Sequence, residues 1–432
     1  MTVAAAPASI VPASRLRGTI EPPGDKSIAH RALIVNALSG GPATVDVRAP
    51  GRDVLSTAAC LRSLGVEVDA VELDGITRFS VRGRPAATGV SLDCGNSGTT
   101  MRLLAGALAG LPLEARLDGD ASLRARPMER VATVLRAAGA AVHTTDGHAP
   151  LTVAGSTGLR GVTHRLPVAS AQLLGVAALA GLAAQGTTRV EVPGPTRDHT
   201  ERLLAAAGIP IRRDGPVTTL DGPVRPSPIS LRVPGDLSSA APWLVAAALH
   251  PDADLTITDV GLNPTRTALL DLLRRMGVTV ETSVADDVAG EPVGEIRVRS
   301  GGRLRPVEVH GDEVASLIDE LPLIGVLMAR AGGGSVLRDA AELRVKESDR
   351  ITTTVAGLRA IGADAEELPD GWRVAPGQPR DAAIATRGDH RIAIAFAVAA
   401  VAGVASAVRL DDPDCVSVSY PGFWADLAAV SA

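Results

Sequence analysis

Aromatic side chains are nearly missing from this chain: its 432 residues include three phenylalanines, three tryptophans and one tyrosine, 2% of the whole. Proteins that read nucleic acid use a basic face and, for single strands, stacking aromatics. A net charge of −5 with so few rings disfavours that class. Cysteine is equally scarce. Cys60, Cys94 and Cys415 are odd in number and far apart, with no CxxC pair and no His/Cys cluster of zinc spacing. That pattern suits neither a disulfide framework nor a zinc site drawn from one element, and it fits a reducing, cytoplasmic compartment. The charge-free stretch from Ile392 to Val408 falls short of the ~20 residues a membrane span needs. Its Ala/Val content, directly after Asp389-His390-Arg391, predicts a fully buried helix. The N-terminal MTVAAAPASIVPASRLRG lacks a basic region ahead of an apolar one, so a short frayed tail is expected there rather than a targeting segment.

Lysine is rarer than cysteine. Of 43 basic residues only Lys26 and Lys346 are lysines. A coding bias toward arginine accounts for the arginines but not for the two exceptions. Lysine is a compact ammonium whose pKa burial can lower, whereas arginine stays charged and forked, so both lysines are candidates for chemistry that arginine cannot perform.

What the chain does have is length, apolar content and a repeat. At 432 residues it exceeds one ordinary core, and 46% hydrophobic with 21% charged residues is a globular composition. A pattern of apolar helix end, glycine and β-like run recurs as CLRSLGVEVD, VLRAAGAAVH, LLAAAGIPI, LLRRMGVTVE and GLRAIGADAE. Its glycines, Gly65, Gly139, Gly208, Gly277 and Gly362, are 74, 69, 69 and 85 residues apart. Each copy predicts a helix stopped by a glycine C-cap and followed at once by a strand. Together they predict an α/β array of about six units, the last shared between the two termini.

Distinctive residues gather at the opposite ends of the helices. Lys26-Ser27, Asn96-Ser97-Gly98-Thr99, Ser170-Ala171-Gln172, Thr196-Arg197-Asp198, Asp236-Leu237-Ser238-Ser239, Asp319, Lys346-Glu347-Ser348 and Asp389-His390-Arg391 each stand at a predicted helix start. N-capping explains Ser, Thr, Asn and Asp there. It does not explain Lys26, Arg31, Arg126, Arg197, Lys346, Arg350 and Arg391 beside them. Free N–H groups and the positive dipole end, added to those cations, suit a ligand with more than one anionic group.

Pro23-Gly24-Asp25-Lys26-Ser27-Ile28-Ala29-His30-Arg31 is not a Walker A loop, because Asp25 and Ile20 stand where that motif needs glycine. On a helix starting near Ser27, Lys26, Ser27 and Arg31 can converge on one phosphate or carboxylate. Two glycines in Asp93-Cys94-Gly95-Asn96-Ser97-Gly98-Thr99-Thr100-Met101-Arg102 allow close backbone approach to an anion, as they also allow a tight turn. Lys346-Glu347-Ser348-Asp349-Arg350 reads either as a charged helix face with Lys346 and Arg350 at i and i+4 or as a general acid/base pair of Lys346 and Glu347. His30, His199 and His390 are spaced wrongly for a metal site from one element, so capping or packing is expected of them.

In this order, PGDKSIAHRAL, CGNSGTTMRLL, GDASLRARPM, ASAQLLGVAAL, TRDHTERLL, PGDLSSAAPWLVAAAL, IDELPLIGVLMA, LRVKESDRI and GDHRIAIAFAVAA resemble the signature segments of the 5-enolpyruvylshikimate-3-phosphate synthases, from about Pro23 to Trp424. The resemblance implies the α/β enolpyruvyl transferase fold, a two-domain inside-out α/β barrel of six βαβαββ-type units, three per domain. Residues 24–234 would form one domain and residues 1–23 with 235–432 the other, crossing near Glu21–Asp25 and Val233–Asp236, with substrate between them. It implies transfer of the enolpyruvyl group of phosphoenolpyruvate to shikimate 3-phosphate in the shikimate pathway, with no metal or organic cofactor required; composition adds a cytoplasmic protein with no nucleic-acid partner and no membrane, and the self-contained two-domain plan suggests a monomer. Lys26, Ser27, Arg31, Ser170, Gln172, Arg197, Asp319 and Lys346 would hold shikimate 3-phosphate; Lys26, Gly98, Arg126, Gln172, Arg350 and Arg391 would hold phosphoenolpyruvate. Glu347 with Lys26 would move the proton at the enol methylene, and Asp319 would accept the proton of the attacking hydroxyl.

One position departs from the family: Val418, in Cys415-Val416-Ser417-Val418-Ser419-Tyr420-Pro421, stands where many members carry lysine. The sister family that acts on UDP-N-acetylglucosamine has Lys-Asn where this chain has Lys26-Ser27. It also has a reactive Cys where counting back from Arg126-Pro127 reaches Ala121. An enolpyruvyl transferase for another cyclitol phosphate and a non-catalytic anion-binding protein are the remaining alternatives, the latter opposed by intact Lys26, Glu347 and Asp319.

Overall fold

All five repeat glycines terminate helices. A computed structural model describes residues 7–431. In it Arg52–Ser63, Glu129–Ala137, His199–Ala206, Ala268–Arg275 and Arg350–Ala360 are helices, each followed within a few residues by a strand. Gly65, Gly139, Gly208, Gly277 and Gly362 have φ of +85°, +99°, +82°, +94° and +98°. A left-handed residue at that point turns the chain out of the helix and satisfies its last carbonyls, and only glycine adopts it without steric cost.

The strands form six sheets among the described residues. Five follow one plan, in which a strand lies parallel to its neighbour and the neighbour pairs antiparallel with a hairpin partner. Leu16–Ile20 runs parallel to Ala253–Gly261 from Leu16↔Ala253 to Ile20↔Ile257, and Ala253–Gly261 pairs antiparallel with Glu291–Arg299. The sixth sheet pairs Asp381–Ile384 in parallel with Ala407–Leu410, and Ile10 from the other end of the chain bridges Val408 antiparallel. The sixth repeat is thus completed by both termini, as its sequence predicts.

The described residues separate into two compact units, one of 7–23, 234–286 and 292–431, the other of 24–233 and 287–291. Each has its own apolar core. In the 24–233 unit the core is built on the helices Lys26–Ser39, Gly98–Ala109 and Ala171–Gly181, and in the other unit on Leu237–Leu249, Leu321–Met328 and His390–Val401. The last three are buried at every residue. Helices apolar all round belong inside, whereas strands such as Glu114–Asp118 alternate exposed and buried positions. Helices at the centre with half-buried sheets around them is the reverse of an ordinary layered α/β domain. Four of the seven aromatics, Trp243, Tyr420, Phe423 and Trp424, stack on one another in one of these cores.

The charge-free run from Ile392 is a fully buried helix only to Val401. Gly403, at φ +73°, ends it, and Val408 lies in the strand Ala407–Leu410. The run was long enough to look like one element because a buried helix and a buried strand share the same composition.

Close helix packing positions the candidate site. A Cβ on Gly106 would lie 2.7 Å from the Val176 carbonyl oxygen and 2.9 Å from its Cα, so the helices carrying Gly98 and Gln172 approach backbone to backbone. We expect Gly106→Ala to destabilise the protein by about 1–3 kcal/mol, since overpacking against rigid backbone exceeds the gain in helix propensity. Urea unfolding of the variant beside wild type measures this, and an unchanged midpoint would show that the two helices can separate at no cost.

Candidate active site

The sequence-predicted residues fall into one set in each unit, and the two sets differ in charge. The 24–233 unit supplies cations. Asp25 Oδ1 accepts from the backbone N–H of Ser27 (2.8 Å) and Ile28 (3.0 Å), so the cap of helix Lys26–Ser39 is Asp25 and the helix begins at Lys26, one residue before the expected start. Lys26 Nζ donates to Asp53 Oδ2 at 3.4 Å. One turn on, the buried Arg31 donates through Nη1 to the Ser27 carbonyl (2.9 Å) and through Nε to Thr200 Oγ1 (2.7 Å). Burial lowers the Arg31 pKa to about 10, helped by nearby Arg197, while Glu201, Asp25 and Glu291 oppose the shift. The structure therefore brings Lys26, Ser27, Arg31 and Arg197 together.

A second group in the same unit surrounds Gly98. Ser97 caps helix Gly98–Ala109, its Oγ accepting from Thr100 N at 3.1 Å, and Ser170 caps Ala171–Gly181 through Leu173 N at 3.3 Å. A Cβ on Gly98 would come within 2.8 Å of Arg102 Nη1 and 3.4 Å of Arg126 Nη1, so two guanidinium groups stand over this glycine. Arg102 Nη1 donates to Gln172 Oε1 at 2.7 Å, and Gln172 Nε2 donates to Thr99 Oγ1 at 2.9 Å. Arg126 Nη2 donates to Asn96 Oδ1 at 2.6 Å. Gly98, Arg126 and Gln172 are thus gathered around Arg102, which sequence reasoning had left inside its motif without a role. The signal was present: Arg102 follows Gly98 by four residues, one helical turn.

The other unit supplies carboxylates around one buried arginine. Arg350, 2% exposed, donates to Asp389 Oδ2 (2.8 Å, from Nε) and to Glu347 Oε2 (2.6 Å, from Nη2), and its Nη1 lies 3.7 Å from Asp319 Oδ1. Burial alone would lower the Arg350 pKa, but Asp389, Glu347 and Asp319 more than offset it and the group is held protonated. Burial pushes the Lys346 ammonium below its ordinary value against the pull of Asp319. Arg391 lies 3.9 Å from Glu320 Oε1, and its backbone N–H donates to Asp389 Oδ1 at 2.9 Å. Asp319, Lys346, Glu347, Arg350 and Arg391 are all brought together here. A substrate anion reaching Arg350 has to share it with Asp389 and Glu347.

Two expectations change, and one partner residue was not foreseen. Lys346 ends a short 3-10 turn in extended conformation and Asp349 caps the helix Arg350–Ala360, so Lys346 and Arg350 do not share a helical face. Asp349 and Glu347 instead bend the chain around Arg350. Helix starts do not all offer the same N–H groups to a ligand: Asp25 accepts from two, and Asp236 and Asp389 from one each, in three central helices, and their charge opposes an anion. Of the central helices, Gly98–Ala109 and Ala171–Gly181 are capped by neutral serine. Asp53, the partner of Lys26 from a helix 27 residues on, was missed because nothing local marks it. Among the histidines, His30 Nδ1 contacts Thr57 Oγ1 and His199 Nδ1 contacts Glu291 Oε1, both at 2.7 Å, which is the packing role expected. Val418 closes the half-buried turn Pro413–Val418.

This architecture is that of the enolpyruvyl transferases. The structure superposes on the enolpyruvyl transferase NikO from Streptomyces tendae with a TM-score of 0.76 over 98% of this chain and 97% of that one, at 21% identity, a likeness of fold. Within that class the chain belongs to the EPSP synthase family. The sequence profile of EPSP synthase (3-phosphoshikimate 1-carboxyvinyltransferase) matches residues 10–427. The 3-phosphoshikimate 1-carboxyvinyltransferase of Herpetosiphon aurantiacus is 46% identical over 97% of this chain and 98% of its own length. That of Roseiflexus castenholzii is 48% identical over 95% and 96%. The EPSP synthase structure from Acinetobacter baumannii gives a TM-score of 0.84 at 35% identity over 98% of both chains.

Two outcomes follow from the buried charges. Burial would raise the Asp389 carboxyl, but Arg350 and His390 hold it below its ordinary value. Asp389→Ala leaves Arg350 short of its main partner and should cost about 3–5 kcal/mol, read by urea unfolding near neutral pH; a loss under about 1 kcal/mol would show Glu347 and Asp319 suffice. His30 is held neutral, its pKa lowered from 6.5 to about 3 by burial and then by Lys26 and Arg31, with Asp25 opposing. Between those values the unfolded chain binds a proton that the folded chain does not. Stability attributable to His30 is therefore full above about pH 6.5 and falls with acidification, by up to ~1.4 kcal/mol per pH unit. His30→Asn should flatten the fall of unfolding free energy measured from about pH 7 to 5, and parallel slopes would contradict it.

Proposed function

We propose that this chain transfers the enolpyruvyl group of phosphoenolpyruvate to the 5-hydroxyl of shikimate 3-phosphate, releasing phosphate, and that both residue sets serve that one reaction from their two domains. The observation that carries the reading is their contrast in charge. Lys26, Arg31, Arg102, Arg126 and Arg197 are an arrangement for substrates with several anionic groups. In the other set Asp319, Glu347 and Asp389 nearly balance Arg350, Lys346 and Arg391, a mixed arrangement for moving protons beside an anion.

The chemistry needs both. Protonating the methylene carbon of phosphoenolpyruvate makes its C2 an oxocarbenium-like centre, the 5-hydroxyl attacks that carbon, and loss of phosphate from the tetrahedral adduct restores the vinyl ether. In this reading Glu347 with Lys26 delivers and recovers the methylene proton, and Asp319 takes the proton of the hydroxyl. Arg350 lies against both carboxylates and compensates their charge. Gly98, Arg126, Gln172, Arg350 and Arg391 hold phosphoenolpyruvate; Ser27, Arg31, Ser170, Gln172, Arg197 and Lys346 hold shikimate 3-phosphate. Guanidinium groups already fixed by Asn96 and Gln172 need little reorganisation as charge moves onto the leaving phosphate. Three buried cysteines without disulfides suit a reducing, cytoplasmic compartment, and two units each with its own core suit a monomer; among the described residues no helix is long and apolar enough to cross a membrane.

The test is phosphate release from phosphoenolpyruvate with shikimate 3-phosphate, with UDP-N-acetylglucosamine, or with no acceptor. Release is expected only with shikimate 3-phosphate and should fall roughly 10²–10⁴-fold in Lys26→Ala and Glu347→Gln, the range for loss of a general acid or base. Release with the nucleotide sugar, or folded protein with no release, would overturn the reading.

A further inference from the structure

One turn after Lys26, His30 lies wholly inside the 24–233 unit, 0% exposed, and the reaction above gives it no task. Its Nδ1 is 2.7 Å from Thr57 Oγ1; Thr57 Oγ1 is 2.7 Å from Thr100 Oγ1; Thr100 Oγ1 is 2.7 Å from Ser97 Oγ. All four side chains are at most 1% exposed. The file crosses three elements: helix Lys26–Ser39, helix Arg52–Ser63 with Asp53 in its first turn, and helix Gly98–Ala109 with its cap.

Proton counting gives this file a direction. Each hydroxyl has one proton to donate. Thr100 Oγ1 faces Ser97 Oγ at 2.7 Å and the Asp53 carbonyl, an obligate acceptor, at 3.3 Å. If Thr100 spends its proton on that side, Thr57 must donate to Thr100, and Nδ1 of His30 must then carry the hydrogen that Thr57 accepts. The far side of the ring agrees. His30 Nε2 is buried without a partner. An orphaned N–H is rarer in folded proteins than an acceptor left short, so the ring is neutral with its proton on Nδ1.

We propose that His30 is a positioning residue, the donor that starts a one-way hydrogen-bond chain through Thr57 and Thr100 to Ser97 and thereby fixes the first turn of helix Gly98–Ala109. That turn sets Gly98 beneath Arg102 and Arg126, the cradle assigned above to the phosphoenolpyruvate anion, so the functional part of the inference rests on that assignment. A donor lost at His30 frees the Thr57 hydroxyl to turn. Thr100 then lacks the bond that keeps its own proton aimed at Ser97, and the glycine shifts relative to the guanidinium groups. Asparagine carries an N–H donor close to the place of Nδ1, and valine replaces Thr57 with the same shape and no hydroxyl.

The experiment has two independent readouts on wild type, His30→Leu, His30→Asn and Thr57→Val. By nitrogen-15 NMR, wild-type His30 should be the Nδ1–H tautomer at neutral pH, and exchange of the Thr100 amide should quicken in His30→Leu and Thr57→Val but not in His30→Asn. In steady-state kinetics the first two variants should raise KM for phosphoenolpyruvate about 10-fold, the effect of losing one buried hydrogen bond. KM for shikimate 3-phosphate should stay within about twofold, and the double variant should be no worse than either single one. The Nε2–H tautomer, unchanged Thr100 exchange, or equal rises in both KM values would overturn the proposal. Wild-type protein without turnover would refute the assigned reaction instead, and the NMR readout would still decide the chain.

Discussion

Burying a helix on every side leaves its two ends as the places where polar groups are obliged to gather, and the first turn as the end that needs acceptors. The first turn has N–H groups with no partner within the helix, and in a core they must be met by side chains. Six largely buried helices stand at the centres of the units, three in each, and a side chain caps five of them; Leu321–Met328 begins without a side-chain cap bond. The residues that cap them decide more than stability. An aspartate cap accepts from one or two N–H groups and adds a negative charge; a serine cap accepts from one and leaves the positive end of the dipole uncompensated. Asp25, Asp236 and Asp389 make the first choice, Ser97 and Ser170 the second. The serine-capped helices carry Gly98 and Gln172, where an anion cradle is of use.

Charge follows the same logic at longer range. Asp389 caps helix His390–Val401 with one oxygen and binds Arg350 with both, so the capping residue also anchors the arginine on which Glu347 and Asp319 converge. A buried guanidinium among carboxylates is costly to assemble, but it offers what a proton-transfer centre requires: acids held at fixed distance with their charge compensated. In the other unit the hydrogen-bond partners of Arg126, Arg102 and Arg31 include the neutral Asn96, Gln172 and Thr200. A neutral partner orients a guanidinium without cancelling its charge.

The repeat was legible because helix termination by glycine is a local event; a single residue at positive φ marks each copy, and all five read correctly. The sharing of the sixth unit by both termini followed from counting. Family motifs were legible for the same reason, as each is a short segment at or near a helix start. What sequence hid was pairing across elements. Asp53 beside Lys26, Thr200 on Arg31 and Asp389 on Arg350 join residues 27, 169 and 39 positions apart, and no spacing rule reaches that far. The misread Lys346–Arg350 pair has a related cause. Four residues apart suggests one helical face, but Asp349 caps the helix between them and assigns the two cations to different elements.

The two lysines now have distinct physical settings. Lys26 is partly exposed at the start of a helix, held by one carboxylate at 3.4 Å, a contact loose enough to be exchanged for a substrate oxygen. Burial works against the charge of Lys346, and Asp319 and Glu347 stand near enough to oppose that shift. Arginine could supply positive charge at either place. It would do so as a wider fork that stays protonated even when buried, as Arg31 shows at about 10. In a chain whose composition turns nearly every other cation into arginine, the two lysines stand at the start of a central helix and beside the Asp319–Glu347–Arg350 cluster, the two places where the proposed reaction would use a compact ammonium.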